Sequence, residues 1–451
     1  MCDLPVPLYH PLKNYFNMEE DTFEFYYSML YSGYSLVAMG VVFLIGRWCD
    51  KYTAAKVALV FSSLEVVGMF LNLIGVLSKN MVVMIIGRSV LGLGSKGLYV
   101  CMNAIIVKWF VGTNVAFALS LMQSVGLMGS VVNNFVSLAL YYRFNESIVA
   151  PVLFGNVLAV IDVVCALMVW KLSITKGVKI TDPVLAVEID VKTQPSASIL
   201  AVIKSFPKAF WIINLVSFFT YCVFPAFNNI SQALLVNRHC GGLDCCLPSE
   251  DTCQIEQDAI SRVSGLQGIP YTTFAILVPF VGILIDKFGQ NIHVLSIGSI
   301  LFGTAQGLLT TDMPPMFPLL LQGMGFTCFG ASFWSTIPLI VHESTQGFAY
   351  SLSIWGGSIA MMVSPLIVAS LTVNYNGYLG VELFFVLMAS CALIASLVLS
   401  WIDRRENIGL NQRNMKNANR PQIFDEIEEH FPGVAFGDLI NAARTERVLT
   451  L

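Results

Sequence analysis

Eleven apolar runs, each near the ~20 residues that a helix needs to cross a bilayer, leave this chain little choice of environment. They cover 24–46, 54–77, 81–108, 114–142, 149–172, 209–237, 260–285, 291–310, 315–341, 346–372 and 377–402. Inside hydrocarbon no water satisfies a backbone N–H or C=O, so each run must close its own hydrogen bonds as a helix. Composition agrees: 56% of the 451 residues are hydrophobic and 12% charged, against roughly 45–50% and 25% in soluble domains. The net charge of −4 offers no basic surface for nucleic acid. The expected fold class is an all-α, polytopic membrane protein with eleven visible spans and the lipid bilayer as its partner.

Lysine and arginine set the orientation, because positive loops stay cytosolic. Arg47, Lys51 and Lys56 follow the first run, Lys108 the third, and Lys176, Lys179, Lys192, Lys204 and Lys208 the fifth. Lys287 follows the seventh run, and Arg404 with Arg405 the last. All these loops share one face, while the opposite face carries Asp244, Glu250, Asp251 and Glu256. The expected layout is an extracytosolic segment 1–23, a five-span bundle 24–173, a cytosolic connector 174–208, a six-span bundle 209–402 and a cytosolic tail 403–451.

The halves repeat. Gly46-Arg47-Trp48-Cys49-Asp50-Lys51-Tyr52 stands between the first two spans, and Gly282-Ile283-Leu284-Ile285-Asp286-Lys287-Phe288-Gly289 between the seventh and eighth, offset by 236 residues. Arg88-x-x-x-Gly92-x-Gly94 has a counterpart in Gln322-Gly323-x-Gly325, offset by 231. Same-order repeats facing each other across a midplane cavity are a common transporter design. In the loop motif the glycine admits close helix approach, the aspartate can cap a helix start, and the lysine marks the cytosolic side. Gly46, Asp50, Lys51, Gly282, Asp286, Lys287 and Gly289 therefore read as a gating latch holding the halves in one state.

This spacing resembles the major facilitator signature, with Thr53 where that family usually has glycine. Further motifs are Lys108-Trp109-Phe110-x-Gly112, Phe224-Pro225, Asp286-Lys287-x-Gly289-x-Asn291, His342-Glu343 with Gly347-x-Ala349-Tyr350, and Gly377-Tyr378-Leu379-x-x-Glu382-x-Phe384-Phe385. Together they resemble the lysosomal dipeptide transporter branch of the major facilitator superfamily, over most of 20–412. The resemblance implies a two-bundle, twelve-span fold, facilitative transport by alternating access, a dipeptide or amino-acid-like substrate, a lysosomal membrane and a glycosylated single-span accessory subunit. The start Cys2-Asp3-x-Pro5 resembles the family segment just after its first span, so that span is expected to be missing here. Lys96 stands where the family carries an acidic residue.

Charges at membrane depth cost about 2.5–3.5 kcal/mol on insertion scales, so they are kept where paired or useful. Glu65, Arg88, Lys96 and Asp162 qualify. Arg88 and Lys96 lie eight residues apart, on nearly one helical face. Either that face grips a substrate carboxylate, or Lys96 pairs with Glu65 or Asp162 and Arg88 serves packing. Asn103, Gln123, Asn133, Tyr221, Tyr271, Gln322, Trp334 and Trp355 complete the candidate substrate pocket. No catalytic set, metal-ligand spacing or cofactor loop is present in the sequence, so neither an enzyme nor a cofactor or metal is expected. Cys240, Cys245, Cys246 and Cys253 fall in an extracytosolic polar loop and are disulfide candidates. Two rival functions stay open: proton-coupled symport or antiport of small organic anions, with Glu65 or Asp162 as proton site, and a non-transporting receptor or scaffold.

Overall fold

In a computed structural model of the chain, residues 4–5, 8–18, 20–110, 114–175, 199–239, 250–311, 313–342, 345–375 and 379–412 are described. Among them there is no strand. The helices are α1 (Tyr9–Phe16), α2 (Glu20–Lys51), α3 (Ala54–Leu77), α4 (Met81–Trp109), α5 (Val115–Arg143), α6 (Val149–Thr175), α7 (Ile199–Ser205), α8 (Lys208–His239), α9 (Glu250–Phe288), α10 (Asn291–Leu309), α11 (Met316–Ile340), α12 (Gln346–Tyr375) and α13 (Leu379–Glu406). All but α1 and α7 are long, and each long helix covers one apolar run. Nine of these are, over the described residues, long and apolar enough to cross a membrane. Val60, Val67, Ile161, Val164, Ile276, Phe280, Leu387 and Ile394 remain exposed on the outer faces. Water would penalise that surface, whereas lipid chains cover it.

Small residues let the helices close. A methyl group added to Gly87 of α4 would stand 2.6 Å from the Asn72 nitrogen of α3, and one on Gly75 of α3 would stand 2.7 Å from the Met84 nitrogen. Without a hydrophobic drive between helices in lipid, such backbone-level contact supplies the attraction. Asn80 starts α4 by accepting hydrogen bonds from the Val82 and Val83 N–H groups at 3.0 and 3.3 Å, satisfying donors that the helix cannot.

The repeat is visible in the packing. Gly92 of α4 lies on Tyr34 of α2, and Gly323 of α11 lies on Pro270 of α9. Gly94 contacts Glu65 and Phe61 of α3, while Gly325 contacts Gly298 and Phe302 of α10. So α2, α3 and α4 correspond to α9, α10 and α11. Two pairings join the halves in a reciprocal way, α2 with α12 and α5 with α9.

Four stretches differ from the hydropathy reading. Helix α9 begins at Glu250, ten residues ahead of the apolar run, because 249–264 contains neither glycine nor proline to stop it. Cys253, expected in a loop, is therefore helical; Cys240, Cys245 and Cys246 lie outside the described residues. The end of the connector forms α7, after which the buried Phe206 packs 4.5 Å from Phe210 and 6.0 Å from Phe348. The N-terminal segment is amphipathic: Leu4, Leu8, Leu12 and Phe16, four residues apart, are buried in one cluster with Val76, Met81, Met84 and Ile148. Past α13 the chain folds back, with Ile408 and Leu410 buried and the Leu410 N–H on Asp403 Oδ1 at 2.9 Å.

Candidate functional site

The lysine-bearing ends of the two halves meet through two carboxylates. Asp50, in the last turn of α2, accepts the Gly347 N–H on Oδ1 at 2.7 Å and the Phe348 N–H on Oδ2 at 2.8 Å. Asp286, near the end of α9, accepts the Ala116 N–H at 3.0 Å and the Phe117 N–H at 2.7 Å. Each carboxylate thus caps the first turn of a helix in the other half, where free N–H groups and the helix dipole favour negative charge. The motif glycines make this approach possible. A methyl on Gly46 would stand 2.7 Å from the Gly347 carbonyl oxygen, and one on Gly282 would stand 2.8 Å from that of Ala116. Lys51 and Lys287 stay exposed and lie 5.5 and 5.3 Å above the rings of Tyr52 and Phe288.

The helices that receive these carboxylates carry a signal that the motif reading passed over. Ala116-Phe117-Ala118-Leu119-Ser120-Leu121 and Gly347-Phe348-Ala349-Tyr350-Ser351-Leu352 share Phe, Ala, Ser and Leu at matching places, again offset by 231. Their serines are equivalent too, since Gly282 lies on Ser120 and Gly46 on Ser351. Thr53, the departure from the family glycine, also has an explanation. The second loop leaves α9 through Gly289 at φ 74° and Gln290 at φ 64°, whereas Thr53, the counterpart of Gly289, sits at φ −61° in a loop of the same two-residue length. Only the second loop takes a left-handed turn, so only there does glycine relieve strain.

Towards the middle, aromatic and small polar groups from both halves converge. Tyr99 of α4 meets Trp334 of α11 edge-on at 5.5 Å, and Trp334 stacks at 6.0 Å on Tyr350 of α12, whose hydroxyl donates to the Trp334 carbonyl. Tyr221 of α8 lies beside Tyr99 and packs on Phe329 at 5.6 Å. A second layer follows, with Phe224 stacked on Phe326 at 3.8 Å and Tyr271 edge-on to Phe224 at 5.4 Å. One turn from these rings, Asn103 Oδ1, Ser217 Oγ, Ser332 Oγ and Ser353 Oγ are buried with no hydrogen-bond partner among the described residues. Gln123 of α5 crosses between the halves, donating to the Gly330 carbonyl at 3.2 Å, and Ser124 donates to the Ala275 carbonyl at 2.5 Å.

Asn103, Tyr221, Trp334 and Gln123 are therefore gathered at the junction of the halves, with Tyr271 in the layer of rings behind them. The other candidates lie apart from these rings, although Trp355 also stands between the halves. Arg88 is buried with its guanidinium 5.6 Å above the Tyr34 ring, between α4 and α2. Asn133 accepts from Ser137 on its own helix at 2.9 Å. Trp355 packs on Phe43 at 5.2 Å between α12 and α2. Gln322 is buried in α11, its amide without a hydrogen-bond partner among the described residues. Lys96 is half-buried on α4; its neighbour Ser95 hydrogen-bonds the buried Glu65, which also feels the nearby Asp162. Tyr99 was not singled out in the sequence, and Tyr350 only as part of a family motif and not as a pocket residue, since a tyrosine in an apolar run looks like any other aromatic there.

Comparison with known proteins adds to this geometry. The family model described as Major Facilitator Superfamily matches residues 3–246 and 247–449. The protein named lysosomal dipeptide transporter MFSD1 from Danio rerio is 25% identical over 85% of this chain and 80% of its own length. Its Homo sapiens counterpart is 24% identical over 91% of this chain and 84% of its own. Among solved structures, the transporter FucP in the outward conformation has TM-score 0.65 at 13% identity, covering 88% of this chain and 94% of that one. A bacterial homologue of the iron transporter ferroportin, in its outward-facing state, has TM-score 0.63 at 12% identity, covering 90% and 95%. These two share the fold.

Proposed function

This chain belongs to the Major Facilitator Superfamily, and from that premise we propose a facilitative carrier that moves dipeptides or amino-acid-like solutes across the lysosomal membrane. That it is a multi-pass secondary transporter follows from the family and the apolar helices. The mirrored pair of carboxylate caps carries the mechanism. With Asp50 on α12 and Asp286 on α5, the halves are joined at the lysine-bearing end, and the carrier is closed towards the cytosol. Uncapping a helix start costs about 0.5–2 kcal/mol. Two such caps make a barrier that differential binding of a solute in the two states can offset.

The pocket chemistry supports the substrate class. A peptide group brings one N–H and one C=O, and Asn103, Ser217, Ser332 and Ser353 offer neutral polar groups beside the rings of Tyr99, Tyr221 and Trp334. Lys96, on the Tyr99 helix, is the cation for a substrate carboxylate. Dipeptide and lysosome enter from the relatives, whose names carry both words. One observation favours proton coupling instead: Glu65 is buried beside Asp162, two carboxyls sharing one region of α3 and α6.

Purified protein in liposomes loaded with unlabelled dipeptide tests both readings. Labelled dipeptide should accumulate by counterflow with no pH gradient, and Lys96→Ala should raise the half-saturating concentration while leaving the protein folded. No counterflow at any gradient rejects the carrier reading, and counterflow that needs an inward proton gradient favours the coupled one.

A further inference from the structure

Cys49, next to the first cap, and Cys101 of α4 are both buried, and their sulfurs lie 2.8 Å apart. No other pair of described cysteines is recorded at such a distance. Two thiols this close could hold a metal ion or become a disulfide, and the distance separates these outcomes. An ion with metal–sulfur bonds of ~2.3 Å in tetrahedral geometry holds its sulfurs ~3.8 Å apart, so the helices would have to spread by about 1 Å. A disulfide needs ~2.05 Å, a closure of about 0.8 Å, which side-chain rotation can supply. Among the described residues there is also no group of three or more histidine, cysteine or acidic side chains to complete a metal site.

We propose that Cys49 and Cys101 form a thiol–disulfide site that, when oxidised by a peroxide, staples α2 to α4 directly beneath the first cap. The step balances: the two thiols give up two protons and two electrons, the S–S bond forms, and hydrogen peroxide leaves as two waters. A reducing cytosol keeps the pair as thiols at rest. The Cys49 Cβ also lies against Gly347, on the surface by which α2 docks on α12, so the staple fixes the part of α2 that carries Gly46 and Asp50. The second cap has no equivalent. Ile285 stands 236 residues after Cys49 and Ser332 stands 231 after Cys101, so oxidation acts on one cap alone.

The test uses the full-length protein in lipid nanodiscs, treated with hydrogen peroxide, denatured, alkylated and digested without reductant. A peptide pair joining Cys49 to Cys101, lighter by two hydrogens than the separate peptides and lost on dithiothreitol treatment, is the expected product. Cys222, Cys328 and Cys391 should be recovered alkylated. The oxidised wild type should melt a few degrees higher than the reduced form, with no such shift in Cys101→Ser. Recovery of Cys49 and Cys101 as separately alkylated peptides overturns the site, and a linked pair with unchanged melting overturns the staple.

Discussion

At the first cap Gly46 of α2 lies against Gly347 of α12, whereas at the second Gly282 of α9 lies against Ala116 of α5. The hydrogen bonds are alike, two amides on one carboxylate in each case, but the clearances differ. A methyl on Gly347 would stand 2.7 Å from Asp50 Oδ1 and 2.9 Å from the Gly46 carbonyl, while the equivalent position already carries the methyl of Ala116. The second cap has a different support. Past α13 the Asn411 carbonyl accepts the Gln290 N–H at 3.1 Å, and its side-chain oxygen accepts the Ile292 N–H at 3.0 Å. One cap is held by backbone proximity, the other by a fold-back of the segment after α13 onto its loop.

The contrast can be broken most directly at the receiving helices. Gly347→Ala forces backbone atoms apart and should weaken the closed state by about 1–3 kcal/mol, read as faster labelling of a cysteine probe placed between α2 and α12. Ala116→Gly should change the matching α5–α9 probe several-fold less. Equal effects would show that the two clearances are equivalent in solution.

Neutralising the carboxylates comes next. Asp50→Asn and Asp286→Asn each lose a charge-assisted cap while keeping one acceptor, so about 1 kcal/mol is expected from each, and more from the alanine variants. Because the two caps share no residues, the double variant should shift state-dependent probe labelling by the sum. A strongly non-additive result would mean that the caps open as one unit.

A smaller effect is expected from Asn411→Ala, which removes the cap of Ile292 at a cost near 0.5–1 kcal/mol. It should raise labelling at the α5–α9 probe and leave the α2–α12 probe unchanged. Movement at both would place the fold-back in a shared support.

The smallest is Thr53→Gly, which restores the family residue. Thr53 has φ −61° at the N-cap of α3, so glycine gains no strain relief there and costs only about a few tenths of a kcal/mol. Gly289→Ala at φ 74° should lower the melting temperature more. If Thr53→Gly stabilises the protein, the negative φ at Thr53 is not the reason for the departure.

Hydropathy was enough to find the spans, and α3 was bounded to the residue at 54–77, because a helix in lipid must satisfy its own backbone and its ends follow from its own residues. The loop motif was legible as a capping aspartate beside a close-packing glycine, since both properties belong to the residue. Which helix the aspartate caps was not. The nearest start to Asp50 is α3, four residues on, yet the carboxylate serves α12 almost three hundred residues away. All helix starts present the same unpaired amides, and only the packing of the halves selects among them. The same holds for Tyr99 against Trp334 and for Cys49 against Cys101. Each is an ordinary residue of an apolar run until a neighbouring helix sets its rotation and depth, and those depend on contacts summed over the whole bundle rather than on any local stretch.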